Sequence, residues 1–238
     1  MPYRVSVGYT GQEGILKGSD YKRVTAGFNI NPSLFDKHLN INVNGKYSYS
    51  KTNPGGQDAV GAAVSMDPTR PVKSSDEKFK NWGGYWQWAL PTTSYDPTFP
   101  YNRNNDAPTN PVEKVENYDF YKSAHILLGN VEADYKIHGF EDLHLHANIA
   151  GEYSTGGEYN TNNPQSTYGF YYGGNSENKE KKYNVVATAY AQYTKDFNKA
   201  NHFDIMAGYE YSHMKYWGDQ WSKSMYPCLL YTSDAADE

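Results

Sequence analysis

Two features are nearly absent from this 238-residue sequence, namely cysteine and long hydrophobic runs. The one cysteine, Cys228, lies close to the C-terminus, so a disulfide framework is excluded. No stretch approaches the roughly 18 apolar residues of a membrane-spanning helix, and the mean hydropathy is −0.85. A membrane β-barrel stays open, because only every second residue of a spanning strand needs to be apolar.

The C-terminal residues 228–238 differ abruptly from the sequence before them. They can be back-translated into a transposase-type sequencing-library adapter, so we predict that this segment is a translated artefact and leave it out of fold reasoning. The remaining chain then contains no cysteine, which excludes a cysteine-ligated metal site. Without the acidic residues of the artefact the chain is nearly neutral. Its charges are scattered along the sequence and do not indicate a basic patch that would bind nucleic acid.

Residues 1–227 are expected to form one incomplete domain. Met1 and Pro2 lead directly into a strand pattern, without the charged, apolar and cleavage regions of an export signal. A barrel protein needs such a signal, so we expect a segment that is open at both ends.

The clearest pattern is the strict alternation over residues 39–50. Every odd position is apolar, aromatic or glycine, and every even position is Asn, Lys or Ser. Successive side chains of a strand point to opposite faces, so this strand has one apolar and one polar face. In a soluble sandwich the apolar face would be a core, whereas in a membrane barrel it would meet lipid and the polar face would line a lumen.

Comparable alternation predicts seven strands, several of them about ten residues long. They cover residues 3–10, 24–30, 39–50, 125–137, 143–154, 183–194 and 203–212. Soluble strands average about 5–6 residues, whereas tilted membrane-spanning strands need about 9–11.

The connections between these strands favour the barrel. Short links at 31–38, 138–142 and 195–202 alternate with longer ones at 11–20, 51–124 and 155–182. In an up-and-down meander alternate links lie at opposite ends, and outer-membrane barrels have short periplasmic turns and long extracellular loops.

Aromatic residues supply a third signal, because they make up 16% of the chain and stand near strand ends on the apolar faces. Tyr47, Tyr153 and Tyr209 are expected at the long-loop end, and Tyr135 and Phe203 near the short turns. Rings at two levels are typical of two membrane interfaces. High β propensity of tyrosine is the alternative explanation. The predicted fold is therefore all-β: an antiparallel up-and-down meander of about seven or eight strands, forming part of a large transmembrane barrel with long extracellular loops.

Candidate contact residues fall into two groups. The polar side chains predicted to face the lumen and contact a solute are Asn40, Asn42, Asn44, Lys46, Glu132 and Asp134. Generic lining of a water-filled barrel is the alternative for all of them, and Glu132 and Asp134 could equally pair with neighbouring strands or with a plug. The second group is Trp82, Trp86 and Trp88 in the longest loop, which suit sugar stacking or a protein interface but could equally pack that loop on itself.

No constellation of residues indicates catalysis, so we predict neither an enzyme nor a cofactor. The sequence shows no phosphate-binding glycine loop and no nucleophile elbow. His144 and His146 share one strand face, but a metal site needs three or four ligands, and the sequence identifies no further one. We therefore predict no metal site.

Seven stretches carry a family resemblance. They are GYTGQEGILK (8–17), DYKR (20–23), NPSLF (31–35), GAAVSMDPTRPV (61–72), NPV (110–112), LGNV (128–131) and DYK (134–136). These stretches resemble the barrel region of SusC/RagA-type TonB-dependent outer-membrane transporters. The resemblance implies a large plugged barrel in the outer membrane that imports glycans or peptides. Its implied partners are membrane lipid, a SusD-like surface lipoprotein, and TonB, which acts through a plug that this chain does not show.

Two other functions stay open at this point. One is a secreted or surface all-β module that binds glycans through the loop aromatics. The other is a porin-type or adhesin-type barrel without TonB.

Overall fold

The computed structural model describes residues 3–92, 99–167, 172–198 and 201–224. Its elements, in chain order, are β1 (Tyr3–Glu13), β2 (Asp20–Ile30), β3 (Ser33–Leu34), β4 (Leu39–Asn53), α1 (Asp58–Ser65), a 3-10 helix (Glu77–Trp82), β5 (Ala89–Pro91), β6 (Tyr101–Arg103), α2 (Pro111–Glu116), β7 (Tyr118–Lys136), β8 (Leu143–Asn162), β9 (Gly174–Asn198) and β10 (Asn201–Ser224). The predicted artefact at 228–238 lies outside the described residues.

Seven long strands form one antiparallel sheet in the order β1-β2-β4-β7-β8-β9-β10, with the short β3 paired to β4. Each long strand therefore pairs with the next long strand of the chain, as in an up-and-down meander. The predicted fold class is confirmed, and all seven predicted strands are present.

The register gives the sheet two chemically distinct faces. Leu39 pairs with Tyr135, and Asn40 with Asp134, so apolar residues of β4 stand beside apolar residues of β7 and polar beside polar. The same matching continues from β7 through β8 to β9. We call the two sides the apolar face, which includes Leu39, and the polar face, which includes Asn40.

Burial on these faces is opposite to that of a soluble protein. Ile149 on the apolar face is 60% exposed, whereas the side chain of His146 on the polar face is only 13% exposed. Among the described residues, every buried apolar side chain belongs to the loops: they are Ala59, Ala62, Phe79, Trp82, Tyr85 and Phe99. The long strands therefore contribute nothing to a hydrophobic core.

Strand lengths differ from the prediction, chiefly at the end that carries the long loops. The charged segment 176–182, which falls in the predicted link 155–182, belongs to β9 and pairs with both β8 and β10. Charged residues continue the strand there because backbone pairing on both sides outweighs their low β propensity. Tyr209, predicted near a strand end, lies well inside β10, because that strand continues to Ser224.

The alternation of short and long links holds only in part. The link between β1 and β2 shortens to residues 14–19, because both strands extend further than the alternating pattern indicated. The links at 54–117 and 163–173 remain the long ones of that end. We call it the long-loop end, and the opposite end the short-turn end.

The long loop at 54–117 has its own structure. Within it, α1 occupies Asp58–Ser65. The hairpin of β5 and β6 was not predicted, and neither was α2. Short strands flanked by turn residues carry too little periodicity to be recognised in a sequence.

Stacked imidazoles join two links at the short-turn end. The rings of His38 and His138 lie 3.9 Å apart and nearly parallel, and His38 Nε2 lies 3.3 Å from a carboxylate oxygen of Glu141. Phe35 and Asp36 both have φ of 51° just before His38. This left-handed backbone is strained for residues other than glycine, so the ring contacts help to hold the turn.

None of the described helices is long and apolar enough to cross a membrane.

Candidate functional site

The six predicted contact residues of the sheet all lie on its polar face, on the neighbouring strands β4 and β7. Asn40 is paired with Asp134, Asn42 with Glu132, Asn44 with Asn130, and Lys46 with Leu128. The strand register thus gathers Asn40, Asn42, Glu132 and Asp134 into one patch. Lys46 stands nearer the long-loop end.

Two of the asparagines are held in place by neighbouring side chains. Asn29 Nδ2 donates to Asn42 Oδ1 at 2.9 Å, and Ser33 Oγ donates to Asn40 Oδ1 at 2.8 Å. Each amide oxygen therefore already accepts one hydrogen bond, which orients the side chain, and the amide nitrogen can donate to a further acceptor. Asn40 also places its Nδ2 3.5 Å from the carbonyl of Lys37.

Beside the asparagines lies a cluster of two carboxylates and two imidazoles. His146 has Nε2 at 3.7 Å from Glu132 and Nδ1 at 3.8 Å from Asp134, and His144 Nδ1 lies 3.5 Å from Asp134. The ring of His146 stacks on Tyr190 at 4.4 Å, which fixes its orientation. We call these residues, together with Asn148, the acceptor cluster.

The carboxylate neighbours of the two histidines were not anticipated from the sequence. The signal that could have found them is the alternation itself, since aligning the apolar faces of β7 and β8 brings His146 opposite Asp134. Within the described ranges, no three His, Cys, Asp or Glu side chains are arranged to hold a metal ion. The groups do lie close enough to share hydrogen bonds with a polar ligand.

Unpaired amide oxygens accompany this cluster. Asn130 Oδ1 and Asn148 Oδ1 are both shielded from solvent and accept no hydrogen bond from any described residue. Asn148 is paired with Glu132 across β8 and β7. Because buried acceptors normally find a donor, this patch offers acceptors to a ligand or water that carries hydroxyl or amino groups.

The three tryptophans of the long loop have different surroundings. Trp82 is 9% exposed and belongs to the loop core. Trp86 meets Trp88 edge to face at 4.9 Å, and the guanidinium of Arg70 lies 5.3 Å from one ring and 5.2 Å from the other. Trp82 therefore packs the loop on itself, as the alternative interpretation of the tryptophans stated. Trp86 and Trp88 are only half-buried and lie beside the cation of Arg70.

A buried polar centre organises the same loop. Asn110 Nδ2 donates to the carbonyls of Val72 and Trp86, at 2.8 and 3.2 Å. Asn110 Oδ1 accepts from the backbone of Val112 and Glu113, and so caps α2. One side chain thus fixes three separate parts of the loop.

Glu113 connects two loops of the long-loop end. Its carboxylate is fully buried and accepts from the backbone and hydroxyl of Thr167, in the link between β8 and β9. Asn117 Nδ2 donates to it as well, at 3.1 Å. The two longest loops therefore form one assembly at this end of the sheet.

A cavity of about 500 Å³ opens beside this assembly, and most of its lining residues are polar. Asn117, Asp119, Asn162 and Tyr172 are among its lining residues. Carboxylate, amide and aromatic groups together suit a hydroxyl-rich or peptide ligand. Sequence reasoning missed the cavity, because α2 and the 163–173 link contribute to it from distant parts of the chain.

Comparison with known proteins shows which proteins this chain is similar to. No protein-family model matches the chain. Over 215 residues, or 90% of its length, the chain is 41% identical to the TonB-dependent receptor SusC of Bacteroides thetaiotaomicron. The resemblance to SusC/RagA-type TonB-dependent transporters is confirmed. The aligned region covers 21% of SusC, so the chain spans about a fifth of that relative's length.

Solved structures give the same fold at low sequence identity. The RagAB peptide transporter matches with a TM-score of 0.61 and 16% identity, over 92% of this chain and 24% of the matched chain. The RagAB peptide importer in its "open-open" state matches with the same TM-score and identity, over 95% of this chain. At 16% identity the likeness shows a shared fold only. The matched region is about a quarter of the length of the chain in the RagAB structure.

Proposed function

We propose that this chain forms barrel wall and extracellular loops of an outer-membrane TonB-dependent importer of glycans or oligopeptides. The observation that carries the proposal is the exposed apolar face of the sheet, combined with 41% identity to SusC. A face that presents Val131, Leu145 and Ile149 outward needs an apolar surrounding, and a lipid bilayer supplies it.

The exposed face also argues against a soluble glycan-binding sandwich. A sandwich buries the apolar residues of each sheet against a second sheet, yet within the described part of the chain the strands bury none. The relative's name, TonB-dependent receptor, favours an energy-coupled importer over a porin-type or adhesin-type barrel.

The polar face would then line the lumen, with the acceptor cluster as its most developed solute-contact site. Asn40, Asn42, Asn44, Lys46, Glu132 and Asp134 share the polar face and would lie along that wall. Paired carboxylates and unpaired amide oxygens favour donor-rich solutes, such as sugar hydroxyls or the amino groups of peptides.

The loop assembly would face the extracellular side and meet a SusD-like lipoprotein. Its rigid construction supports this role, because Asn110 and Glu113 hold two loops as one surface. Trp86 and Trp88, with Arg70, are aromatic and cationic groups of the kind enriched at protein interfaces. Coupling to TonB would pass through a plug in the lumen.

Transport by the full-length protein tests the proposal. Outer-membrane fractions should contain it, and uptake of fluorescent oligosaccharides or peptides by cells should require both this protein and TonB. As a site-specific test, a Glu132→Gln/Asp134→Asn variant should weaken uptake. Glu158→Gln, which alters a carboxylate bound to Lys122 near the loops, serves as the control.

Two results would contradict the proposal. One is recovery of the protein in the soluble fraction as a monodisperse monomer. The other is uptake that continues unchanged without TonB.

A further inference from the structure

Five lysines stand on the apolar face, just beyond its aromatic residues toward the long-loop end. They are Lys22, Lys51, Lys179, Lys181 and Lys215, and the register places them on the same side as Val24, Tyr49, Tyr183 and Tyr211. Lysines on a lipid-facing surface are costly in the bilayer core but favourable at its edge, where the ammonium group reaches the head groups.

Three of these lysines converge on the strands β9 and β10. Lys181 is paired directly with Trp217, Lys215 with Tyr183, and Lys179 with Asp219. Lys179 and Lys181 are neighbours on one face of a strand, roughly 7 Å apart. Lys215 is the diagonal neighbour of Lys181, at about 7–8 Å. We call Lys179, Lys181 and Lys215 the lysine cluster.

The lysine cluster is only partly neutralised by the protein. Lys179 Nζ lies 2.7 Å from Glu177, with Asp219 nearby. The ammonium of Lys215 lies 5.3 Å from the ring of Trp217. No carboxylate in the described ranges forms an ion pair with Lys181 or Lys215. Close like charges disfavour one another, so an added anion between them would be stabilising.

The charges on this face are layered along the strand direction. Lys22 and Lys51 are paired with each other, whereas the acids Glu13 and Asp20 are paired one step nearer the loops. Glu177 likewise lies one step beyond Lys179 on β9. On β9 the order from the sheet centre outward is apolar (Val185), aromatic (Tyr183), basic (Lys181 and Lys179) and then acidic (Glu177). In the proposed membrane orientation the basic layer would lie at the depth of lipid phosphates.

We propose that the lysine cluster, continued by Lys51 and Lys22, binds the phosphate groups of lipids in the leaflet at the long-loop end. The occupant follows from charge complementarity and from continuity with the apolar face. A free anion would need only the ammonium groups, whereas a phosphorylated lipid also covers Tyr183 and Tyr211 beside them. This inference rests on the proposed outer-membrane function, which supplies the bilayer.

Lipid retention by the full-length protein tests the inference. The protein, purified in detergent, is titrated with monophosphoryl lipid A, and bound lipid is counted by native mass spectrometry. Wild-type protein should retain the lipid, and a Lys179→Gln/Lys181→Gln/Lys215→Gln variant should bind it about 100-fold more weakly, at about 1 kcal/mol per lysine. The control Lys122→Gln/Lys136→Gln/Lys182→Gln removes equal charge from the polar face of the sheet and should bind like wild type.

Three outcomes would overturn the inference. They are equal loss of lipid in both triple variants, equal binding of the same glycolipid without its phosphate, and full displacement of the lipid by millimolar inorganic phosphate. Should the triple variant fail to fold, two other measurements test the inference. The single Lys181→Gln variant should bind the lipid more weakly than wild type. Binding of the lipid by wild-type protein should weaken as the salt concentration rises, because salt screens the attraction between lysine and phosphate. Failure of the proposed function would look different, because the protein would then not enter a detergent micelle.

Discussion

At the scale of single residues, the side chain of Asn110 makes four hydrogen bonds that hold the long loop together. Replacing it with alanine removes its side-chain hydrogen bonds to Val72, Trp86, Val112 and Glu113, and leaves buried backbone groups unpaired. We expect Asn110→Ala to destabilise the loop by about 3 kcal/mol. Limited proteolysis of the membrane-embedded protein measures this as faster cleavage within residues 54–117.

The exposed Asn31 provides the control for that experiment, since it is an asparagine of the short-turn end outside this network. Asn31→Ala should leave the cleavage rate unchanged. Equal rates for Asn110→Ala and wild type would show that the loop is held by its apolar core instead.

A second residue-scale prediction concerns pH. Lys17 Nζ lies 2.6 Å from Glu116, and so ties the 14–19 link to α2. The hydrogen bond from Lys17, together with its charge, lowers the pKa of Glu116, and the same contact raises the pKa of Lys17. A lowered carboxylate pKa stabilises the folded state above the unfolded value, about 4.3, and this contribution is lost as pH falls through the folded pKa.

The raised pKa of Lys17 has the opposite effect on the pH dependence of stability. Its contribution to stability is present below about pH 10.4 and is lost as pH rises through the folded pKa. The tie should therefore hold between about pH 4 and 10 and loosen in acid. Hydrogen exchange of residues 14–19, corrected for intrinsic rates, should rise below pH 4 in wild-type protein. In Glu116→Gln it should be raised already at neutral pH, and a wild-type profile in that variant would disprove the role of the pair.

At the scale of elements, two paired glycines on the apolar face give a matched comparison. Gly45 on β4 pairs with Gly129 on β7. A Cβ added at Gly45 would lie 2.5 Å from the ring of Phe28, whereas one added at Gly129 meets nothing within 4 Å. The phenyl ring thus covers Gly45 as a side chain of its own would.

We expect Gly45→Ala to destabilise the sheet by about 1–3 kcal/mol, because the ring of Phe28 must move. Gly129→Ala should be neutral or stabilising by up to about 1 kcal/mol, since alanine restricts the unfolded chain. Denaturant unfolding of the full-length protein in detergent measures both. Equal effects of the two substitutions would mean that Phe28 does not pack on Gly45.

The elements also show how far sequence reasoning reached. All seven long strands could be predicted because one face of each centre is continuously apolar, and residues 39–50 alternate strictly. Their outer ends could not, because residues 176–182 carry charges on both faces and are held in β9 by pairing with β8 and β10. Alternation is recognised by one apolar and one polar face, and these outer segments have no apolar face.

At the scale of the whole molecule, the orientation of the sheet can be tested by a charge on either face. Ile149 lies on the apolar face, and the adjacent Ala150 on the polar face. Ile149→Lys should cost about 2–4 kcal/mol if the position is near the bilayer midplane, whereas Ala150→Lys should be tolerated within a water-filled lumen. Yield of heat-resistant folded protein in outer-membrane fractions, followed by unfolding in detergent, compares the two.

The reverse order of these effects would place the polar face toward the surrounding medium and the apolar face toward a core, as in a soluble sandwich. Equal effects would remove the distinction between the faces on which the proposed function depends.

The strand order, the two faces and the resemblance to SusC/RagA-type transporters follow from the sequence alone, because alternation and local motifs are properties of neighbouring residues. The same alternation puts Asn40, Asn42, Glu132 and Asp134 on one face. The fold is needed to show that His144 and His146 stand beside those carboxylates and that Glu113 joins two loops. Alternation fixes the face on which a side chain lies, but the partner opposite it also depends on the turn between the strands. The contact of Glu113 joins segments that are distant in sequence, which no local pattern encodes.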